Sequence, residues 1–341
     1  MSQDNYINDI NDTNDANNEG LLIVSEDACK SVIDRPSAFI AVENVFASMS
    51  RGDAYSFPVI REAIGYADAL YGFKSGFDRA GKSLGLKSGG YWPGNAAKGL
   101  TNHQSTIFLF NPDNGKLRAL VGGNYLTAVR TAAASAVSIA HLARKDSKVL
   151  GMVGAGHQST FQLRAALEQR NFEKIVAWNK NKERLKNLQA VAEELGVPFE
   201  SVEREQLCAE ADVIITITSA FEPLLMKEWI KPGTHIACMG TDTVGKQEVD
   251  AALIASATVF TDEVAQSITI GEAQHAIKSG AIKEADITTL GDVINGKHTG
   301  RTSDEEITIF DGTGVGLQDL AVASAAAKLA VEKGEAQHIS L

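Results

Sequence analysis

The chain has 341 residues, 44% hydrophobic and 6% aromatic, with a formal net charge of −11 at pH 7. That length forms one large domain or two ordinary ones, and so acidic a balance argues against a nucleic-acid partner, which needs Lys and Arg against phosphate. Three widely spaced cysteines (Cys29, Cys208, Cys238) suggest a reducing cytoplasm rather than a disulfide framework, and neither a membrane span of about 18 apolar residues nor a signal peptide is expected.

Residues 1–20 are rich in Asn and Asp and carry five acids (Asp4, Asp9, Asp12, Asp15, Glu19) with no Lys or Arg. A disordered tail is expected there. Beyond it, Ala38 to Met49 spaces Phe39, Val42, Val45, Phe46 and Met49 at a helical period. Leu84 to Lys87, Ser105 to Asn111 and Leu117 to Val121 read as strands. The last two flank Asn111-Pro-Asp-Asn-Gly115, which has hairpin-turn chemistry. An α+β domain with a largely antiparallel sheet follows from this pattern. An Ala-rich helix, Thr127 to Ala143, carries Arg130 and should bridge to a second domain.

There the apolar run Val149 to Val153 enters Gly154-Ala-Gly156, and a helix begins near Gln158. A strand turning on glycines into a helix points bare amides at a pyrophosphate, at the positive end of the helix dipole. The third glycine of the dinucleotide pattern is replaced by Ser159. Strand candidates at 149–153, 174–178, 198–202, 213–218, 234–239, 257–261 and 307–311 alternate with helical stretches. That is the pattern of a doubly wound parallel sheet, a Rossmann α/β domain. A last Ala-rich helix, Leu317 to Lys333, follows Asp311-Gly-Thr-Gly-Val-Gly316 and can return to the first domain. The expected organisation is a tail (1–20), a substrate-binding and dimerisation domain (21–126 with 316–341) and a dinucleotide-binding domain (127–315).

Ligands of open parallel sheets bind beyond the carboxyl ends of the strands. Candidate dinucleotide contacts there are Gly154, Gly156, His157, Gln158, Asn179, Lys180, Thr218, Ser219, Met239 and Gly240, and Thr131 on the Ala-rich helix is a further candidate. NAD sites usually place Asp or Glu where Asn179 stands. Asn beside lysines tolerates a 2′-phosphate, which favours NADPH, although Asn also binds a ribose hydroxyl. Asp242 is expected near the nicotinamide, or else is a turn former or helix cap. Lys246 and Glu248 read as solvated charges. Lys87, among glycines and aromatics, is either a partly desolvated amine with a depressed pKa or a strand-end surface lysine. Arg61 and Arg130 are candidate carboxylate clamps, because guanidinium presents a planar fork of donors. Lys74 is a further cation. His103 reads as a structural histidine, and His157 as shaping the glycine turn. No metal-ligand spacing and no acyl-transfer motif is present.

Over about residues 21–335 the chain resembles the ornithine cyclodeaminase/μ-crystallin family. The resemblance rests on Gly85-Leu-Lys87, Trp92-Pro-Gly-Asn95, Thr127-Ala-Val-Arg-Thr-Ala-Ala133, Gly154-Ala-Gly-His-Gln158, Gly240-Thr-Asp-Thr-Val-Gly-Lys-Gln-Glu248 and Gly316-Leu-Gln-Asp319. It implies a homodimer built on the first domain. It also implies that Lys87 contacts substrate, that Arg61 and Arg130 hold its carboxylate, and that Asp242 stabilises or protonates the reacting carbon–nitrogen centre. Within the family the chain is similar to the iminosuccinate reductases of the β-hydroxyaspartate pathway. That likeness covers Phe57 to Ala63, Leu70 to Gly76, Gly89 to Trp92, Asn102 to Ser105 and Thr261 to Ser267. The implied function is NAD(P)H-dependent reduction of iminosuccinate to L-aspartate, a small dicarboxylate substrate whose distal carboxylate falls to Lys74. As a group those enzymes use NADH, so NAD(H) is expected, with NADP(H) left open by Asn179. The alternatives are ornithine cyclodeamination, reduction of pyrroline-2-carboxylate, and a μ-crystallin-like protein that binds NADPH and a small ligand.

Overall fold

The computed structural model describes residues 20–340, so all but Gly20 of the tail expected at residues 1–20 lies outside the described residues. Two compact units divide the chain: one runs to Arg130 and resumes at Val315, and the other is Thr131–Gly314.

The first unit holds β1 (Leu21–Val24), β2 (Ala54–Ser56), β3 (Ile60–Ala63), β4 (Leu70–Asp78), β5 (Ser83–Tyr91), β6 (His103–Phe110) and β7 (Leu117–Gly122). With the C-terminal strand Gln337–Ile339 they form one sheet, ordered C-terminal strand, β1, β7, β6, β5, β4, β2, with β3 also paired to β4. Every pairing is antiparallel except β1 with β7. The helix expected at 38–49 spans Arg35–Arg51. Asp34 caps its start by accepting from Ser37 N, and Gly52 stops it at φ 76°.

β4 was not anticipated, and β5 is longer than Leu84 to Lys87. Gly72, Gly76, Gly85, Gly89 and Gly90 hide both strands from a propensity reading. The fold needs some of these glycines for close packing. A Cβ at Gly76 would lie 2.9 Å from Leu317 Cδ2, and one at Gly85 would lie 2.9 Å from Leu320 Cδ2. Both contacts come from helix Gly316–Glu332, which buries Leu317, Leu320, Val322, Ala323 and Ala326. Helix Asn124–Leu142 starts three residues before the expected Thr127. The carboxylate of Glu26 accepts from Asn124 N (2.7 Å) and Tyr125 N (3.0 Å), which satisfies two of its first amides.

The second unit is the doubly wound parallel sheet read from the sequence. Its strands are β8 (Val149–Val153), β9 (Lys174–Trp178), β10 (Phe199–Ser201), β11 (Val213–Thr216), β13 (His235–Cys238), β15 (Thr258–Thr261), β16 (Ile287–Thr289) and β17 (Thr308–Asp311). β12 (Phe221–Leu225) and β14 (Gln247–Val249) pair separately. The order is β10-β9-β8-β11-β13-β17-β15-β16. Leu150, Met152, Ile175, Ile214 and Ile236 are fully buried, as a parallel sheet covered on both faces requires. Seven strands fall where the apolar runs placed them, whereas β12, β14 and β16 were not foreseen; β14 and β16 have three residues each, too few to show a period. Chain order reverses beside β8, between β9 and β11, which is where such sheets bind ligands. Among the described residues no helix is long and apolar enough to cross a membrane.

Candidate active site

In the second unit β8 turns into helix Ser159–Leu167 through two glycines with different duties. Gly154 has φ +108°, and a Cβ there would lie 2.6 Å from Ile217 O. At Gly156 a Cβ would meet nothing within 4 Å, so the turn is open. Ser159 takes the third glycine position by donating its hydroxyl to Gly156 O at 2.7 Å. A cavity of about 480 Å³ opens here, lined by Ala155, Gly156, His157, Thr160, Arg184 and Asn187. Gln158 Oε1 is buried at the same turn with no hydrogen-bond partner. Open amides at a helix start, an adjoining cation and an unmet acceptor fit a dinucleotide.

Asn179 does not stand free for a ribose. Its Oδ1 accepts from Ala155 N (3.0 Å) and its Nδ2 donates to Asn181 O (2.7 Å), so it ties the end of β9 to the glycine turn. Lys180 is exposed, and Lys182 pairs with Glu203 at 2.7 Å. His157 is exposed, with its ring 5.5 Å from that of Phe161.

The ends of β11 and β13 overturn the solvated reading of Glu248, which is fully buried. Its carboxylate accepts from Thr216 Oγ1 (2.7 Å), Thr218 N (2.7 Å) and Gly240 N (2.9 Å). One acid therefore staples the two strand ends that carry Thr218, Ser219, Met239 and Gly240. Gly240 is required there, since a Cβ would lie 2.3 Å from Thr218 O. Glu272 supports the staple: Oε1 accepts from Glu248 N and Val249 N at 2.8 Å each, and Oε2 from Thr241 Oγ1 at 2.5 Å. Burial raises both carboxyls above their ordinary range, and Glu248 raises Glu272 further. Lys246 is not a solvated charge either. It pairs with Asp242 Oδ1 at 2.7 Å and donates to Gly240 O at 3.1 Å. Asp242 keeps 36% of its side chain exposed. Thr131 is buried.

Glu248→Ala should be strongly destabilised, because it strands three donors. Each unmet buried donor costs about 1–3 kcal/mol. The expected result is a loss of roughly 3 kcal/mol or more in denaturant unfolding, with Glu248→Gln recovering part of it. Wild-type stability in the Ala variant would refute the staple.

The first unit gathers a second group of candidates. Lys87, on β5, is 7% exposed, which settles its two readings in favour of the desolvated amine. Its Nζ lies 2.7 Å from Asp319 Oδ2. Asp319 is fully buried in the first turn of helix Gly316–Glu332 and accepts from Arg130 Nε on its other oxygen at 3.0 Å. Arg130 Nη1 donates to Gln318 Oε1 at 3.0 Å. Lys74 stands directly opposite Lys87 in the β4–β5 register. Burial, then Arg130 and Lys74, lower Lys87 to about 7, while Asp319 opposes them. Burial acts to raise Asp319, but Arg130 and Lys87 hold it below the ordinary carboxylate range. Burial and the same cations lower His103 to about 4, so it is neutral at physiological pH. Arg61 lies exposed on β3, opposite Gly72 and outside this buried group. Asp319 and Gln318 were missed as site residues. The available signal was an acid at the start of an Ala-rich helix with no other charge before Lys328; buried, such an acid needs a partner.

The sequence model of the ornithine cyclodeaminase/mu-crystallin family matches residues 35–334. The iminosuccinate reductase of Paracoccus denitrificans is 60% identical over 94% of this chain and all of its own length. Its crystal structure in complex with NAD⁺ has a TM-score of 0.92 to this chain, with the same coverage. An archaeal alanine dehydrogenase dimer with bound NAD has a TM-score of 0.88 at 32% identity, covering 94% of this chain and 99% of its own. The Δ1-pyrroline-2-carboxylate reductase of Thermococcus litoralis, in complex with NADH and L-proline, has a TM-score of 0.88 at 28% identity, covering 94% of this chain and all of its own.

Proposed function

The chain belongs to the ornithine cyclodeaminase/mu-crystallin family, and from that premise we propose that it is an NAD(H)-dependent imine reductase that converts iminosuccinate to L-aspartate. The observation that carries the substrate class is the charge of the buried group. Lys87 and Arg130 both contact one buried acid, Asp319, and half-buried Lys74 adds to the field on it. That gathering of basic side chains suits an anionic substrate. The molecule as a whole is acidic, so a dicarboxylate needs such a local field to enter.

When bound, the dinucleotide supplies the hydride that adds to the C=N carbon. Around that step the chain's residues bind and move protons. Arg130 takes the carboxylate next to the imine, and Lys74 supplies charge for the distal one. Lys87, lowered to about 7, exchanges its proton near neutrality and can deliver one to the imine nitrogen. The family resemblance gives Asp242 the role of stabilising positive charge at the reacting carbon–nitrogen centre. Gly154, Gly156, His157 and Gln158 at the glycine turn hold the dinucleotide. Asn179 acts there indirectly, by bracing the turn.

The protein acts as a homodimer through the first unit. Exposed Ile60, Ile64, Tyr66 and Leu100 favour a covered surface there. Cys29, Cys208 and Cys238 are all free and buried, which agrees with a reducing cytoplasm.

The test runs in reverse, because iminosuccinate is unstable in water. L-aspartate with NAD⁺ at alkaline pH should produce reduced nicotinamide, followed by its absorbance. Ornithine, proline and alanine serve as parallel substrates. Turnover of ornithine or proline without aspartate would overturn the reading in favour of a cyclodeaminase or cyclic-imine reductase. In the same assay Arg130→Ala should lose about 100-fold or more in kcat/KM, the scale for truncating one partner of a buried charge pair. Its melting temperature should also fall, because Arg130 is held by Asp319 and Gln318. Unchanged kinetics would remove Arg130 from the site.

A further inference from the structure

The sequence pattern reads His103 as structural; the sheet register gives it a different setting. Side chains two apart on a strand share a face, so the register of β4, β5 and β6 sorts into rows. One row is Lys74, Lys87 and Ile107. The next on that face is Gly72, Gly89 and Ser105. The third is Leu70, Tyr91 and His103. The middle row carries two glycines, so the sheet is nearly bare between Lys87 and His103. At about 3.3 Å per residue the outer rows are roughly 13 Å apart along the backbone. Lys87 and His103 stand at opposite ends of that bare stretch.

The ring also feels the group across the gap: Lys87, Arg130 and Lys74 help to keep it neutral. Among the described residues no hydrogen bond is made by the imidazole, although its backbone carbonyl accepts from Thr101 Oγ1. Tyr91, its neighbour in the row, is pinned by Asn102 Nδ2 on its hydroxyl at 3.1 Å. A neutral imidazole with an unused N–H thus stands at the far end of a cationic floor, beside a fixed ring.

We propose that His103 donates a hydrogen bond to the distal carboxylate of a four-carbon imino diacid, and so sets the length of acid that the site accepts. This rests on the reductase reading above. Lys74 supplies charge to that carboxylate, and His103 supplies direction. A three-carbon monoacid leaves the imidazole unused. A five-carbon diacid runs into His103 and Tyr91.

The test compares wild type with His103→Leu and His103→Gln in NADH oxidation. Ammonia with oxaloacetate supplies the four-carbon imine, and ammonia with pyruvate the three-carbon one. His103→Leu should lose about 10- to 100-fold in kcat/KM for the four-carbon imine, the scale of one hydrogen bond to a charged group. It should stay within about threefold for the three-carbon imine on the same scale, and His103→Gln should recover most of the loss. Equal losses on both imines, or none, would overturn the proposal. Calorimetry with succinate and acetate on the NAD⁺-loaded protein separates this from the reductase reading. Succinate binding should weaken about tenfold in His103→Leu while acetate binding holds. If wild type reduces no four-carbon imine, the reductase reading fails and succinate binding alone decides His103. Unchanged succinate binding in the Leu variant would refute its role. Thermal melts establish that both variants are folded.

Discussion

Lys87→Met should lower kcat/KM for imine reduction by about 10²- to 10⁴-fold, the usual contribution of a positioned acid or base. Met keeps most of the volume and removes the proton. The rate alone would not separate chemistry from packing, but the pH profile does. Lys87 is lowered to about 7 by burial first and by Arg130 and Lys74 after it. Reduction needs the ammonium, so wild-type kcat/KM in that direction should be level below pH 7 and fall above it. Oxidation of L-aspartate needs the free amine, so its limb should rise through pH 7 and then level. One group thus produces opposite limbs in the two directions, and both limbs should vanish in Lys87→Met. Limbs that persist in the variant would assign the proton to another residue.

The same shift has a stability consequence whose sign is fixed. The folded pKa, about 7, lies below the unfolded value of about 10.4. Between those limits the unfolded chain holds more protons, so stability rises with pH across that window. The melting temperature of wild type should therefore climb relative to Lys87→Met between about pH 7 and pH 10.

The second unit was legible because its strands are continuous apolar runs separated by helices, and a glycine turn marks the first crossover. Fixed spacing carries that signal. The first unit was only partly legible. In β4 and β5 the glycines that permit close approach of Leu317 and Leu320 also erase the strand pattern. The site was legible where chemistry shows in residue type and company, as at Lys87 and Arg130. It was opaque where function depends on a long-range partner. Glu248 looked solvated because its sequence neighbours are polar, yet its partners at Thr216, Thr218 and Gly240 come from other strand ends. Asp319 is separated from Arg130 by 189 positions, and no local pattern joins them.

Asp319 carries the other large effect. Asp319→Ala leaves Lys87 and Arg130 buried without the carboxylate that both of them contact. Removing one partner from a buried charge group costs about 3–5 kcal/mol. For a domain of this size that lowers the melting temperature by roughly 10 °C. Activity should fall with it, because Asp319 orients the Arg130 guanidinium and opposes the lowering of Lys87. A merely structural role would predict the stability loss alone. The distinguishing variant is Asp319→Asn, which keeps an acceptor for Arg130 Nε and nearly the same shape but no charge. Its melting temperature should lie between those of wild type and Asp319→Ala. Its Lys87 limb should nonetheless move to lower pH, since the one group that raises that pKa is neutralised. At pH 7 a larger share of Lys87 is then unprotonated, so reduction slows while aspartate oxidation near neutrality gains in relative rate. A limb left at the wild-type pH in Asp319→Asn would mean that Asp319 supports the fold without tuning the proton of Lys87.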